Sequence, residues 1–141
     1  KINLGIILSR IKFVFEAKLD LFIKVRHLAS MLIFKLFRKD EWLQFKASGK
    51  TDGAPIDMAD GFIHFSKASQ VQETAAKHFK GEKNLVLVSC DADNLKQDLK
   101  WEISRGGDLF PHLYRQLLFE DIISKIEIPK IKGTHKFPDI F

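Results

Sequence analysis

The 141-residue chain contains a single cysteine, Cys90, and this near absence excludes an internal disulfide and the cysteine-rich metal sites. Cys90 follows an apolar run, so we expect a small buried residue in a protein of a reducing compartment, the cytoplasm. The five histidines are scattered along the chain without the spacing of metal ligands, so no metal is expected either.

Long hydrophobic runs are also missing. The longest uncharged stretch near the N-terminus, residues 2–9, is eight residues long, whereas a membrane-spanning helix needs about 20. We therefore expect no transmembrane segment, and no signal peptide, because no small-residue cleavage site follows an apolar run of the proper length. The glycine patterns G-x-G-x-x-G and G-x4-G-K-[ST] are absent too, which excludes the common nucleotide-binding loops.

The positive charge is distributed unevenly. The chain has 23 Lys+Arg against 18 Asp+Glu, a formal net charge of +5. Residues 1–30 contain six basic and two acidic side chains, a net of +4, so the other 17 basic and 16 acidic side chains leave residues 31–141 at +1. Because nucleic-acid binding requires a basic surface on the folded part, we expect no nucleic-acid partner.

The pattern changes near Met31, and this change predicts an N-terminal extension over residues 1–30 that precedes the folded domain. Apolar residues of the extension recur at helical spacing and predict an amphipathic basic helix. These positions are Leu4, Leu8, Ile11, Phe15, Phe22 and Val25. Three interpretations stay open: the helix packs on the domain or a partner, it targets a surface, or the segment precedes the true start at Met31 and has no function.

The domain interleaves short strands with only one or two helices. Strands are predicted over residues 32–37, 61–66, 85–89, 99–104 and 122–128, and helices over residues 40–46 and 67–80. Residues 109–114 are predicted to be irregular, and Trp101 is expected to face inward from its strand. The pattern does not alternate strand with helix as a parallel sheet requires. It favours an α+β fold with mostly antiparallel sheets.

Polar side chains concentrate in two segments. His64 and Ser66 are two residues apart in a strand and share a face, so both can contact one ligand. The second segment contains Glu102, Arg105, Gly106, Gly107, His112 and Tyr114. Arginine binds phosphate or carboxylate with paired hydrogen bonds, glycine permits close backbone approach, and histidine transfers protons near neutral pH. Taken alone, each of these residues also has a purely structural explanation. His64 would be a core histidine and Tyr114 a core tyrosine, Glu102 and Arg105 would form a surface ion pair, and the two glycines would form a turn. Their grouping nevertheless favours a site.

Residues 53–66 and 101–114 closely resemble the small bacterial domain of unknown function family 952, and the resemblance extends over roughly residues 31–138. It therefore implies a domain over residues 31–138 and a tail over residues 139–141. That family is similar in fold to the ADP-ribosyltransferases. The resemblance therefore implies an ADP-ribosylation-type fold, with split, curved antiparallel β-sheets and a ligand cleft between the halves. It does not imply an established activity.

The strand around His64 also resembles the His-x-Ser/Thr strand of ADP-ribosyltransferases and of RNA 2′-phosphotransferases, which binds the NAD riboses or the phosphorylated substrate. The resemblance implies that His64 and Ser66 bind a ligand, and that Glu102 stabilises the reacting ribose.

On this basis we expect an NAD-, ADP-ribose- or phosphorylated-nucleotide-like ligand, with transfer or hydrolysis at the ribose C1. Arg105, Gly106 and Gly107 would bind phosphate, while His112 and Tyr114 would act at the reacting end, His112 catalytically with Glu102. The alternative is a non-catalytic module on the same fold that binds a small anion or a protein.

Overall fold

The computed structural model describes residues 4–29 and 31–139. The chain divides into two units at residue 30. The first contains α1 (Leu4–Ala29), which is helical where the apolar spacing predicts a helix. The side chains of Phe22 and Val25, and the last two residues of the predicted tail, lie outside the described residues. In the described part of the chain, no helix combines the length and the apolarity that crossing a membrane requires.

The second unit contains nine short strands and four helices in its described residues. In chain order they are β1 (Leu32–Arg38), α2 (Lys39–Ser48), β2 (Lys50–Thr51), α3 (Pro55–Asp60), β3 (Ile63–His64), α4 (Ala68–His78), β4 (Asn84–Asp91), α5 (Ala92–Leu95), β5 (Leu99–Ile103), β6 (Leu109–Leu113), β7 (Leu117–Leu118), β8 (Ile122–Ile131) and β9 (Thr134–His135). Two 3₁₀ turns, Arg105–Gly107 and Phe119–Asp121, follow β5 and β7.

The strands form three separate antiparallel sheets, with the orders β1-β4-β8-β9, β2-β7 and β3-β6-β5. A two-way backbone bridge between Phe34 and Ser66 connects the first sheet to the chain just after β3. A register shift at Ser89/Cys90 interrupts the β4–β8 ladder, and such bulges bend and twist a strand. The prediction of an α+β fold with antiparallel sheets is confirmed.

Strands β1 and β4 are buried on both faces, which explains why they are nearly continuous apolar runs rather than alternating ones. One face contributes Ile33, Phe37, Val86 and Val88 to a core that includes Trp42 and Phe45 of α2. The other face contributes Phe34, Leu36, Leu85 and Leu87 to a core with Val71 and Ala75 of α4. By alternation, Lys35 falls on the face of Ile33 and Phe37.

Two predictions about local structure are wrong. Residues 109–114, predicted to be irregular, contain β6, the central strand of its sheet, although Pro111 lacks the N–H that a ladder uses. Trp101, expected to face inward, is 37% exposed. It lies on an edge strand, and its neighbour Glu102 points towards His112 and Tyr114, so alternation turns Trp101 the other way.

The helix content is larger than the one or two helices that the sequence pattern predicted. The described part of the domain has two helices of ten and eleven residues, α2 and α4, and two shorter ones, α3 and α5. The sequence pattern predicted the two longer helices. It missed α3, a single six-residue segment too short to show apolar periodicity.

Candidate functional site

A cavity of 640 Å³ opens on the domain surface, within the range of about 300–1,000 Å³ typical of small-molecule sites. Four of the residues predicted for a site line it: His64, Ser66, Arg105 and His112. Seven further polar residues line it that were not among the predicted site residues: Lys35, Arg38, Asp57, Asp60, Thr74, His78 and Ser104. Residues that are distant in the chain therefore meet around one concave space.

Asp57 is the most heavily hydrogen-bonded side chain of the cavity wall, and it is buried. Its Oδ1 accepts the main-chain N–H of His64 at 2.9 Å and lies 2.6 Å from His64 Nδ1. Its Oδ2 accepts from Lys35 Nζ and from the main-chain N–H of Ala54, both at 2.6 Å. Burial alone would raise the pKa of Asp57, but the hydrogen bond from His64 and the charge of Lys35 outweigh it and hold the pKa at about 2.

Local chain geometry brings Asp57 into this position. Pro55 starts α3 with a preset φ, and Gly61 ends it with a φ of 82°, a conformation that favours glycine. Gly53 precedes the helix with a φ of 90°, and a Cβ there would collide with the Asp57 carboxylate. The glycine thus permits the close approach of backbone and carboxylate on which the Asp57 contacts depend.

His112 is held by a carboxylate in a similar way. Its Nδ1 lies 2.8 Å from Glu102 Oε2, and the Tyr114 hydroxyl donates to the same oxygen at 2.7 Å. The hydrogen bonds from Tyr114 and then from His112 lower the pKa of Glu102. Since an ionised carboxylate only accepts, Nδ1 carries a proton and the neutral ring has its lone pair on Nε2. Among the described residues, that Nε2 is buried without a hydrogen-bond partner.

The two histidines are neighbours in the same ladder. His64 of β3 pairs with His112 of β6, and their ring centroids are 5.2 Å apart. Phe62 stacks on His112 with a centroid distance of 4.3 Å and contacts His64 at 4.7 Å. The Nε2 atom of His64 lies 3.1 Å from Asp60 Oδ2 at the cavity wall. Strand pairing therefore places two imidazoles, each anchored at Nδ1, side by side in one cavity.

Arg105 has no close carboxylate partner in the described part of the chain. Its guanidinium lies 3.7 Å from Glu73, whose side chain is 57% exposed, and 3.4 Å from Thr74 Oγ1. It also packs over the Phe110 ring at 5.0 Å from the ring centroid. A long ion pair with an exposed partner contributes little. The guanidinium therefore retains donors for a ligand in the cavity.

Ser66 and His78 complete this side of the cavity. Thr74 Oγ1 donates to the carbonyl of Gln70 at 3.1 Å, so the Ser66 hydroxyl, also 3.1 Å from Thr74 Oγ1, is the donor of that pair. Ser66 Oγ can still accept a hydrogen bond. Burial, and then the charges of Arg105 and His64, lower the pKa of His78. The wall around Arg105 thus favours a negatively charged occupant.

Four of the predicted site residues do not line this cavity. Glu102 is not a lining residue, but it contacts His112, which is one. Tyr114 lines a separate space of 400 Å³ together with Phe62. Gly106 and Gly107 are exposed in the turn that carries Arg105, and the Gly107 N–H already donates to the carbonyl of Ser104 at 3.1 Å. The amide of Gly107 is therefore engaged within the turn.

Sequence reasoning missed Lys35 and Asp57, the buried ion pair of the site. A signal for Lys35 was present, because a single lysine inside an otherwise apolar strand needs a partner once the strand is buried. Asp57 gave no comparable signal. It lies 22 residues away from Lys35 in the chain, and only the tertiary fold brings the two side chains together at 2.6 Å.

Cys90 is buried, as expected for a small apolar residue of a strand. Burial, with the charge of Asp121 adding to it, raises the pKa of its thiol to about 12. Within residues 4–29 and 31–139, no group of three or more His, Cys, Asp or Glu side chains is arranged to hold a metal ion.

Residues 36–125 match the family described as Protein of unknown function (DUF952). This match spans more than half of the chain, so the protein belongs to that family, as the resemblance of its two polar segments indicated. The matched part begins one residue after Lys35 and includes Asp57 and the three histidines that line the cavity.

Solved structures of one relative share this fold. The crystal structure of protein CC0527 from Caulobacter crescentus is 47% identical, covers 74% of this chain and 93% of its own, and superimposes with a TM-score of 0.72. The solution NMR structure of CC0527, also 47% identical, covers 74% of this chain and 90% of its own with a TM-score of 0.66. No curated protein matches the chain.

Proposed function

We propose that the domain has an ADP-ribosylation-type fold and that its cavity binds a phosphorylated, nucleotide-like ligand of the NAD or ADP-ribose class. The observation that carries the proposal is that Arg105 and His112 line the same cavity as His64 and Ser66, and that Nε2 of His112 is buried without a partner among the described residues. The split antiparallel sheets and the His-x-Ser strand support the fold assignment.

The proposed contacts follow from the chemistry of each wall. Arg105 binds a phosphate through the paired N–H groups of its guanidinium, since its ion pair with Glu73 is long. Ser66 accepts from a ribose hydroxyl, and His64 contacts the same sugar. Gly106 and Gly107 contribute indirectly, by shaping the turn that carries Arg105.

For NAD, the proposed reaction is hydrolysis or transfer at the ribose C1 that carries nicotinamide. The oxygen of water, or of an acceptor hydroxyl, bonds to C1 and loses its proton to His112 Nε2. The bond from C1 to the nicotinamide nitrogen breaks, and nicotinamide leaves with the electron pair. Glu102 acts here as a positioning residue, because it keeps the proton on Nδ1 of His112 and so leaves the lone pair on Nε2.

A specific observation favours the second candidate, a non-catalytic binding module. The carboxylate of Glu102, expected at the reacting ribose, does not line the cavity and is engaged by His112 and Tyr114. A module of this kind would use Arg105 and the histidines to hold the ligand without breaking a bond. Binding and turnover must therefore be measured separately.

The test uses the full chain in a thermal-shift titration with NAD, ADP-ribose and a 2′-phosphorylated nucleotide, since a ligand that binds the native state raises Tm. Arg105→Met should weaken the binding by about tenfold or more through the loss of charge-assisted hydrogen bonds. Lys96→Met is the matched control, because it removes the same charge from an exposed residue that does not line the cavity.

Product formation separates the two candidates. Release of nicotinamide from NAD, lost in His112→Ala, supports the enzyme. Binding without any product from NAD or from the 2′-phosphorylated nucleotide supports the non-catalytic module. If none of the three ligands changes Tm, the proposed ligand class is wrong.

A further inference from the structure

Lys35 is a charged residue in the middle of a buried strand. It lies on β1 between Phe34 and Leu36, and its side chain is only 7% exposed. Despite this burial it lines the 640 Å³ cavity. A lysine is rarely this buried unless its charge is partnered, so its contacts need to be accounted for one by one.

The ammonium of Lys35 has three donors, and the described residues supply one hydrogen-bond acceptor for them. That acceptor is Asp57 Oδ2, 2.6 Å away. The Phe37 ring adds a cation–π contact at 5.9 Å from the ring centroid. Asp57 cannot take a second hydrogen bond from Lys35 easily, because its oxygens also accept from Ala54 and His64. Two N–H groups of a buried cation are thus left for the cavity.

A buried donor without an acceptor costs free energy, and the cost is larger for a charged group. The pairing with Asp57 offsets the burial of the charge and holds the ammonium in place, but it leaves the remaining donors unsatisfied. We propose that Lys35 is a ligand-binding residue whose ammonium donates to a phosphate oxygen of the molecule in the cavity. This inference rests on the proposed function of the cavity and adds a residue to it.

The charges around Lys35 favour phosphate over a neutral group. Asp57 is compensated by Lys35 and by the hydrogen bonds of His64, so the pair adds little net negative charge to the wall. Arg105, on the turn after β5, lines the same cavity from a different element. A point-like ammonium and a planar guanidinium on separate elements suit a ligand with two phosphate groups, such as the diphosphate of ADP-ribose.

The test measures the affinity of the full chain for ADP-ribose and for inorganic pyrophosphate by calorimetry. Lys35→Met should weaken both affinities by about tenfold or more, the loss expected for a charge-assisted hydrogen bond in a buried site. The matched control is Lys39→Met. Lys39 is close in the chain, 52% exposed and paired with Glu127, and it does not line the cavity, so both affinities should stay within about twofold.

The outcomes separate the two proposals. If wild type binds neither probe, the proposed function and this inference both fail. If wild type binds and folded Lys35→Met binds equally well, only the inference about Lys35 is overturned. Should Lys35→Met fail to unfold cooperatively, Lys35→Gln replaces it, since the amide still donates to Asp57 without the charge. In the wild-type chain, an unchanged NMR signal of the Lys35 ammonium at saturating ADP-ribose would also overturn the inference.

Discussion

His64 and His112 lie directly opposite each other in the β3–β6 ladder, with ring centroids 5.2 Å apart, and each is anchored at Nδ1 by a carboxylate. The anchors come from different places, Asp57 from helix α3 and Glu102 from edge strand β5. Because both rings are fixed at one nitrogen, their orientation is set before any ligand arrives. Such preorganisation is what binding and proton transfer both require.

Asp57 should make the free energy of unfolding of the domain depend on pH in the acid range. Its pKa in the folded chain, about 2, lies below the ordinary value of 3.8, so its ionised form stabilises the fold. That contribution, about 2 kcal/mol, is complete above about pH 4 and is lost as the pH falls towards about 2. Urea unfolding of wild type from pH 6 downwards, in steps, measures it.

Asp57→Asn is the variant that tests this assignment. It should be less stable near neutral pH by about 3 kcal/mol, since it leaves Lys35 buried without its counter-charge. It should also lose stability less steeply than wild type in acid. Asp108→Asn, at an exposed residue, serves as the control and should follow the wild-type curve. Equal acid slopes for Asp57→Asn and wild type would contradict the role given to Asp57.

Tyr114 is the only tyrosine, so the ultraviolet absorbance of tyrosinate reports on it alone. Its hydrogen bond to Glu102 raises its pKa above the ordinary value of 10.0, because ionisation would place two negative charges together. Glu102→Gln should therefore lower the pKa of Tyr114. Glu73→Gln, the same change at an exposed residue far from Tyr114 in the chain, should leave it unchanged. A titration that is identical in all three proteins would refute the Tyr114–Glu102 contact.

Gly53 and Gly61 allow backbone strain and side-chain collision to be separated. Both have positive φ, 90° and 82°, but only a Cβ at residue 53 meets another group, the Asp57 carboxylate. Gly61→Ala should lower the free energy of unfolding by about 1 kcal/mol from strain alone. Gly53→Ala should lower the free energy of unfolding by about 1–3 kcal/mol more than Gly61→Ala does, because the buried carboxylate must shift. Equal losses in urea unfolding would show that Asp57 does not pack against Gly53.

Cys90 should be inert in the native protein. Burial raises the pKa of its thiol to about 12, so almost no thiolate is present near neutral pH and reagents cannot reach it. A thiol-specific alkylating reagent should therefore modify the chain only after unfolding in urea. As the chain has one cysteine, mass spectrometry reads the outcome directly. Rapid labelling without denaturant would mean that β4 opens or that the thiol is exposed.

Much of the framework was predictable because it depends on local patterns. Strands β1 and β4 are short apolar runs, and helix α4 shows an apolar stripe at helical spacing, so their apolar residues predict them without knowledge of their partners. The common face of His64 and Ser66 follows from the alternation of a strand, and both do line the cavity. The α+β class follows from the order of these elements.

Helix α3 and strand β6 are elements that local sequence patterns do not predict. Helix α3 has six residues and no periodicity, and its importance lies in Asp57, whose partners are spread over β1, the chain before α3 and β3. Strand β6 contains Pro111, which argues against a central strand, yet pairing on both sides holds it there.

The sequence by itself determined which residues carry charge, which segments are apolar enough to be buried, and the family to which the chain belongs. The tertiary structure alone decided that Lys35, Asp57, His64 and His112 meet at one cavity, and that Tyr114 does not line it. The physical reason is that the tendency of a segment to form a strand or a helix depends on residues a few positions apart. A buried ion pair across 22 residues, or two histidines in register across a ladder, exists only once the sheets have paired and packed.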